Sequence, residues 1–362
     1  MLFHIGKQLV ESFDNPKFWY KFVFQENFDD AKNAYNQAKS LCQDDCPELK
    51  TLICISNTEC LYFQGEYVEG FENLKTLPDK IELNQDLKTK YLLVLSGLQI
   101  GLGMFSDAKS TLTELHVTDN DLPLLLSKAS RFIELGMFSE AKKILDHLNT
   151  EVEKKSISEV DQAYIGSMLG YCLLAMDNSE EGFKLLQEKI TFLEHLPSIK
   201  YGPELVDFHL YQADADLKAK NETHTSKHVQ TAQKYFVEMF KDKSMDHNPK
   251  FAKITALYGL IRLETLDYDK AKIHLQEALN INKKLVKEGS DQPVSAMLVW
   301  IHQGLAEIAI NKDQNKEKAI AENSKALELA KIVFPQESEF LMERVRNFKK
   351  DLDAWFELIT PW

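Results

Sequence analysis

The sequence is poor in the residues that interrupt helices. Its 362 residues include only 10 Pro and 14 Gly against 44% hydrophobic residues, so loop formers are scarce and material for a core is ample. Basic charge is in deficit as well, with 43 Lys and Arg against 56 Asp and Glu, a formal net charge of −13. The averaged field repels phosphate backbones and acidic membrane surfaces, which argues against nucleic acid and for a basic or apolar protein partner. No run approaches eighteen apolar residues, so membrane insertion is not expected. The cysteines are few and odd in number: Cys42, Cys46, Cys54, Cys60 and Cys172. With no basic, apolar leader at Met1 to Lys7, they suit free thiols in a reducing, cytoplasmic setting.

What the chain has instead is one unit, repeated. An aromatic or small polar residue precedes two mostly acidic or polar positions and a small residue, with apolar positions four and seven further on. Phe28-Asp29-Asp30-Ala31 with Tyr35 and Ala38 is one copy, and Tyr67-Val68-Glu69-Gly70 with Leu74 and Leu77 is another. Phe105 to Ala108, Phe138 to Ala141 and Ser179 to Gly182 follow, and residues 251–334 carry two more, centred on Ala271 and Ala319. The small residue marks the place where the second helix of a hairpin crosses the first, and the later apolar residues bury on the same face. Acidic residues just before it sit in the first turn, where the helix dipole favours them. A second small residue is due about twelve positions earlier, on the first helix, and Ala129, Gly170 and Gly259 meet that expectation, as Gly304 does with a longer turn.

On these motifs the chain resembles the tetratricopeptide repeat superfamily over roughly residues 15–335, in a long-repeat form. The C-terminal units, followed by Asp291-Gln292-Pro293, resemble those of kinesin-light-chain-type proteins. The resemblance implies an all-α α-solenoid: a right-handed superhelix of about eight helical hairpins over residues 1–335, with residues 336–362 as a C-terminal helix. Between Gly182 and Ala271 the signature fades. There, residues 203–218 are expected as a first helix with Ala213 at the crossing, and 226–240 as a second, after a long turn at 220–223. From Glu337 onward Leu341, Val345, Phe348, Leu352, Trp355 and Ile359 form one narrow apolar seam, which either caps the last hairpin or pairs with a second copy as a homodimer. The aromatic run at Phe18 to Phe24 is expected as the first helix of the first repeat, mostly core with room for a partner-facing patch.

Candidate chemistry is thin. Cys42 and Cys46 with Cys54 and Cys60 lack the matched pairs of a zinc site, and buried thiols are expected. His224 and His228 have no glutamate between them in the metalloprotease arrangement, and Gly97-x3-Gly101-x-Gly103 has no strand before it, so it reads as a helix end and turn. No nucleophile elbow, phosphate loop or catalytic carboxylate pair is recognisable, and the expectation is a non-enzymatic protein with no cofactor and no metal.

The resemblance directs attention to the concave groove, which the first helix of each hairpin lines. Carried across, the inward positions are Tyr164, Ser167 and Tyr171, then Asp207, Leu210 and Asp214 with Leu217, then Lys253, Ala256, Leu260 and Leu263. Each either contacts a protein or peptide ligand or packs adjacent repeats. Chaperone-tail recognition is not expected, because the matching groove positions hold Ile55, Glu59, Leu126 and Ser130. Two functions fit: an adaptor that binds a protein or peptide segment in the groove, or a peptide-sensing regulator whose superhelix tightens on binding.

Overall fold

The computed structural model describes residues 36–37, 47–77, 84–117, 121–152, 157–176, 179–195, 203–218, 221–240, 248–284 and 296–333, with single positions at 343, 346–347, 350 and 354. The first repeat, with its aromatic run, Cys42 and Cys46, and the seam residues Leu341, Val345, Phe348, Leu352, Trp355 and Ile359 lie outside the described residues. Fourteen helices are described, and they form seven consecutive hairpins. The hairpins are α1 Pro47–Gln64 with α2 Tyr67–Lys75, α3 Gln85–Gly101 with α4 Phe105–Glu114, and α5 Leu122–Glu134 with α6 Phe138–Val152. They continue as α7 Glu159–Ala175 with α8 Ser179–Glu194, and α9 Pro203–Lys218 with α10 Glu222–Phe240. The last two are α11 Pro249–Glu264 with α12 Tyr268–Lys284, and α13 Ala296–Asn311 with α14 Lys316–Val333. The fold class is therefore the all-α solenoid that the repeats imply.

Local chemistry sets the ends of these helices. Asn84, Asp121, Ser158 and Asn248 each accept a backbone N–H within the first turn of α3, α5, α7 and α11. The α3 end at Gly101 and the left-handed Gly103, φ 76°, confirm that the glycine cluster there is a helix terminus and turn. At Gly136 the same closure recurs, with Gly136 N–H donating to Ile133 and Met137 N–H to Phe132. Leu266 occupies the equivalent place in the α11–α12 turn at φ 57°, a conformation that costs a side chain with a Cβ. The expected start of α10 at 226 is corrected: it begins at Glu222, because Asn221 accepts the His224 N–H at 3.4 Å and acts as a cap rather than as part of a long turn.

The crossings lie where the small residues stand. Ala108, Ala141, Ala271 and Ala319 are fully buried, as are Ala129, the partner of Ala141, and Ala213 at the α9–α10 crossing. At the α7–α8 crossing a Cβ on Gly182 would lie 2.7 Å from the Gly170 carbonyl oxygen and 2.8 Å from the Leu174 nitrogen. The two backbones touch there, and neither can retreat without separating the helices.

The solenoid also curls back on itself. Helix α1 carries two apolar stripes: Leu52 and Ile55 pack with α2 and α3, whereas Leu49, Ile53 and Cys60 pack with Val206 and Leu210 of α9, Val229 and Phe236 of α10, and Leu257 of α11. Phe105 at the start of α4 packs likewise against Val299 of α13 and Ala326 of α14. Early hairpins thus meet late ones, and the concave side is closed down to a central space.

Candidate functional site at the centre of the solenoid

A cavity of about 130 Å³ lies where the first, inner helices of the hairpins converge. Helical spacing puts Leu126, Ser130, Arg131 and Glu134 of α5 on its wall, with Tyr164 and Met168 of α7 and Asp207, Phe208 and Tyr211 of α9. Tyr62 and Tyr67 from the first hairpin and Asn248 to Lys250 at the start of α11 complete it.

Two ion pairs face this space. Arg131 donates to both carboxylate oxygens of Glu134, at 2.9 and 3.1 Å, and donates to the Tyr62 hydroxyl while lying 4.1 Å over that ring. Gly97 of α3 makes room for this stack, since a Cβ there would sit 2.9 Å from Arg131 Nε and from Tyr62 Cε2. Burial opposes the charge of Arg131, but Glu134 and Tyr62 outweigh it and hold the guanidinium pKa above its usual value. Across the cavity Lys250 Nζ donates to Asp207 Oδ2 at 2.5 Å, positioned by the Asn248 cap two residues earlier. Burial pushes the phenols of Tyr62, Tyr67 and Tyr211 well above their ordinary range, so all three remain hydrogen-bond donors. Burial also pushes Glu59 on α1 up to about 7, against the pull of Arg131 and Lys90.

Aromatic rings form the remaining wall. Tyr211 stacks on Tyr171 with centroids 3.9 Å apart and planes 9° from parallel, and Tyr171 meets Phe138 edge-on at 5.8 Å. Tyr164 lies 5.5 Å from Phe208, and the Lys253 ammonium sits 4.8 Å over the Tyr211 ring.

Of the eleven groove positions read from the sequence, Tyr164 and Asp207 line the cavity. Tyr171 and Lys253 lie one layer behind it, against Tyr211. Asp214 is half-buried and its charge acts on Tyr171. Ser167, Leu210, Ala256 and Leu263 are buried, Leu210 by the stripe of α1; Leu217 packs against that same core, and Leu260 packs between the cores of the fifth and sixth hairpins. Leu126 and Ser130, placed in the groove by the same register, do line the cavity. Arg131, Glu134, Tyr62, Phe208, Tyr211 and Lys250 were not anticipated. The signal for Arg131 and Glu134 was their one-turn spacing from Ser127 and Ser130 on an inner helix.

His224 and His228 part company in the structure. His228 Nδ1 lies 2.9 Å from His209 Nδ1 of α9, so one ring nitrogen donates and the other accepts, while His224 faces its own cap, Asn221. Burial holds the His228 pKa down at about 4. Cys54, Cys60 and Cys172 are buried, and burial pushes the Cys172 thiol up to about 12. No described helix is long and apolar enough to cross a membrane.

No protein-family model matches the sequence, and no curated protein matches it. Among solved structures it is similar to a Rap protein complexed with competence and sporulation factor, with a TM-score of 0.55 at 13% identity over 85% of this chain and 86% of that one. It is also similar to a chain of the APC/C hetero-tetramer Cut9–Hcn1, with a TM-score of 0.52 at 14% identity over 90% of this chain. It spans 53% of that second chain's length. At such identities the likeness establishes the architecture alone, a helical-repeat solenoid.

Proposed function

We propose that the protein is a non-enzymatic, cytoplasmic adaptor that recognises a protein or peptide segment on the inner surface of its solenoid. The observation that carries the reading is the central cavity: five inner helices or their caps contribute charged pairs and aromatic faces to one space. Aromatic rings and an arginine gathered in a concavity are the elements that dominate recognition energies. The Rap neighbour was solved in complex with competence and sporulation factor, which supports ligand binding by this architecture. Buried cysteines suit a reducing compartment. The seam at Leu352 and Trp355 either caps the solenoid or joins two copies, and the mass of Leu352→Asp in solution separates those roles.

The test is a peptide array of doubly blocked ten-residue segments, probed with the full chain and with Asp207→Asn/Tyr211→Ala. The reading expects a subset of peptides to bind the natural chain and to lose the variant. Equal binding by both would place recognition elsewhere.

A second reading, that ligand changes the compaction of the superhelix, is favoured by the docking of α1 on α9 to α11. A segment larger than the cavity requires that contact to open. Scattering with and without a bound peptide distinguishes a regulator, which changes its radius of gyration, from a fixed adaptor, which does not.

A further inference from the structure

Behind the cavity wall, α8, α9 and α10 meet at a pair of imidazoles. His209 of α9 is 1% exposed and His228 of α10 lies beside it, with Nδ1 to Nδ1 at 2.9 Å and ring centroids 5.2 Å apart. His209 Nε2 is 3.3 Å from Glu194 Oε1 at the end of α8, which favours a proton on that nitrogen. His209 Nδ1 is then the acceptor and His228 Nδ1 the donor, and His228 Nε2 is left without a proton. It faces the buried Asp216 carboxyl at 3.9 Å, beyond hydrogen-bond range. The pair therefore joins α9 to α10 with two protons, one on each ring.

A third proton has no good place. On His209 Nδ1 it would meet the His228 N–H, setting two donors against each other at 2.9 Å. On His228 Nε2 it would make an imidazolium in a largely buried setting. Burial pushes Asp216 up to about 6, so that carboxyl is neutral before acid reaches the ring. Burial first, then His209, with Lys227 and His224 adding to it, holds His228 down at about 4, and Glu194 pulls the other way. The other elements on α10 meet it through uncharged groups, α11 through Phe251 and Tyr258 and α1 through Ile53 and Cys60.

We propose that His209 and His228 form an acid-sensitive clasp, which holds α9 to α10 while the pair carries two protons and releases them when it takes a third. The clasp lies between the two surfaces that depend on α9. Phe208 and Tyr211 line the cavity, whereas Leu210 and Val229, next to the two histidines in sequence, belong to the core on which α1 docks. Acid thus loosens the closed centre from behind, whatever that centre binds.

Hydrogen–deuterium exchange of the full chain at pH 7 and pH 5, corrected for the intrinsic exchange rate at each, reads the opening of α9 and α10. Glu59 and Asp216 take up protons over the same range with the opposite effect on stability. The quantity compared is therefore the ratio of protection at pH 7 to that at pH 5, in the natural chain and in His228→Asn, whose amide can keep the bond to His209 and cannot take the proton. With the folded value near 4 against the ordinary 6.5, and allowing for partial exposure, that ratio should be about tenfold larger in the natural chain over α9 and α10, and the same in both chains over α14. A merely structural role for His228 would lower protection at both pH values alike and leave the ratio unchanged. Glu194→Gln removes the carboxylate that favours the imidazolium and should enlarge the ratio further, which decides the matter even if His228→Asn fails to fold. Equal ratios in the natural chain and His228→Asn overturn the inference, and so does a ratio in Glu194→Gln no larger than the natural one.

Discussion

Inner and outer helices of these hairpins draw on the same residue types and are buried very differently. Helix α7, an inner one, hides six consecutive residues from Ile165 to Gly170, together with Cys172 and Leu173. Helix α12, an outer one, hides Ala271, Leu275, Ala278, Ile281 and Asn282, a single stripe, and leaves Ile273 61% exposed. An outer helix touches its own hairpin and its neighbours on one side and water on the other. An inner helix touches its hairpin, both neighbours and, because the solenoid curls, the opposite wall. Its polar side chains must then be satisfied by one another, which is why hydrogen-bonded ion pairs and phenols collect at the centre while lysines and glutamates of the outer layer stand in solvent.

That contrast can be broken most severely where the two layers meet. Gly182→Val puts methyl groups against the Gly170 carbonyl and the Leu174 nitrogen, both backbone, and should destabilise the fold by about 4 kcal/mol in denaturant unfolding. A loss below about 1 kcal/mol would mean that the layers slide freely. Next in size, Arg131→Met leaves Glu134 facing the cavity without its partner and should cost about 2 kcal/mol, less than a fully buried pair because the Glu134 side chain is 29% exposed. The matching change on the outer layer, Lys143→Met opposite Glu140, should fall within about 0.5 kcal/mol, since both side chains are solvated.

The inner layer also predicts a pH dependence of definite sign. Glu59 has its folded pKa raised to about 7, so the folded state binds its proton more tightly than the unfolded chain does. The stability this proton contributes is complete below the unfolded value near 4.5 and is lost as pH rises through 7. Glu59→Gln should therefore raise the melting temperature at pH 8, by about 2 kcal/mol or less of stability, and flatten the profile between pH 5 and 8. An unchanged slope would show that Glu59 is solvated. Opposite in sign is Leu266→Gly in the α11–α12 turn, which relieves a left-handed backbone and should stabilise by about 1 kcal/mol.

The repeats were legible because each crossing is a local event: the small residue, its acidic neighbours and the apolar positions after it lie within one or two turns. The start of α10 was misplaced because Asn221 serves equally well in a turn or as a cap, and only the hydrogen bond to His224 N–H decides between them. The curl of the solenoid left no local trace. Leu49, Ile53 and Cys60 read as an ordinary apolar stripe, and nothing nearby in sequence says that it meets Leu210 and Leu257. The site inherits that limit. Tyr164 and Asp207 follow from helix register, whereas Arg131 acquires its role from Tyr62, 69 residues away, at a place that exists only once early and late hairpins have met.

The closed centre is the claim on which the site depends, and small-angle scattering of the natural chain and of Ile53→Asp, each checked for helix content by circular dichroism, tests it most directly. A carboxylate on that stripe cannot stay against α9 and α11. The account predicts a compact natural chain, with a radius of gyration not far above the roughly 21 Å of a globular protein this long, and a clear expansion of the variant at unchanged helicity. An extended natural chain, or a variant of the same size with its helices intact, would contradict it.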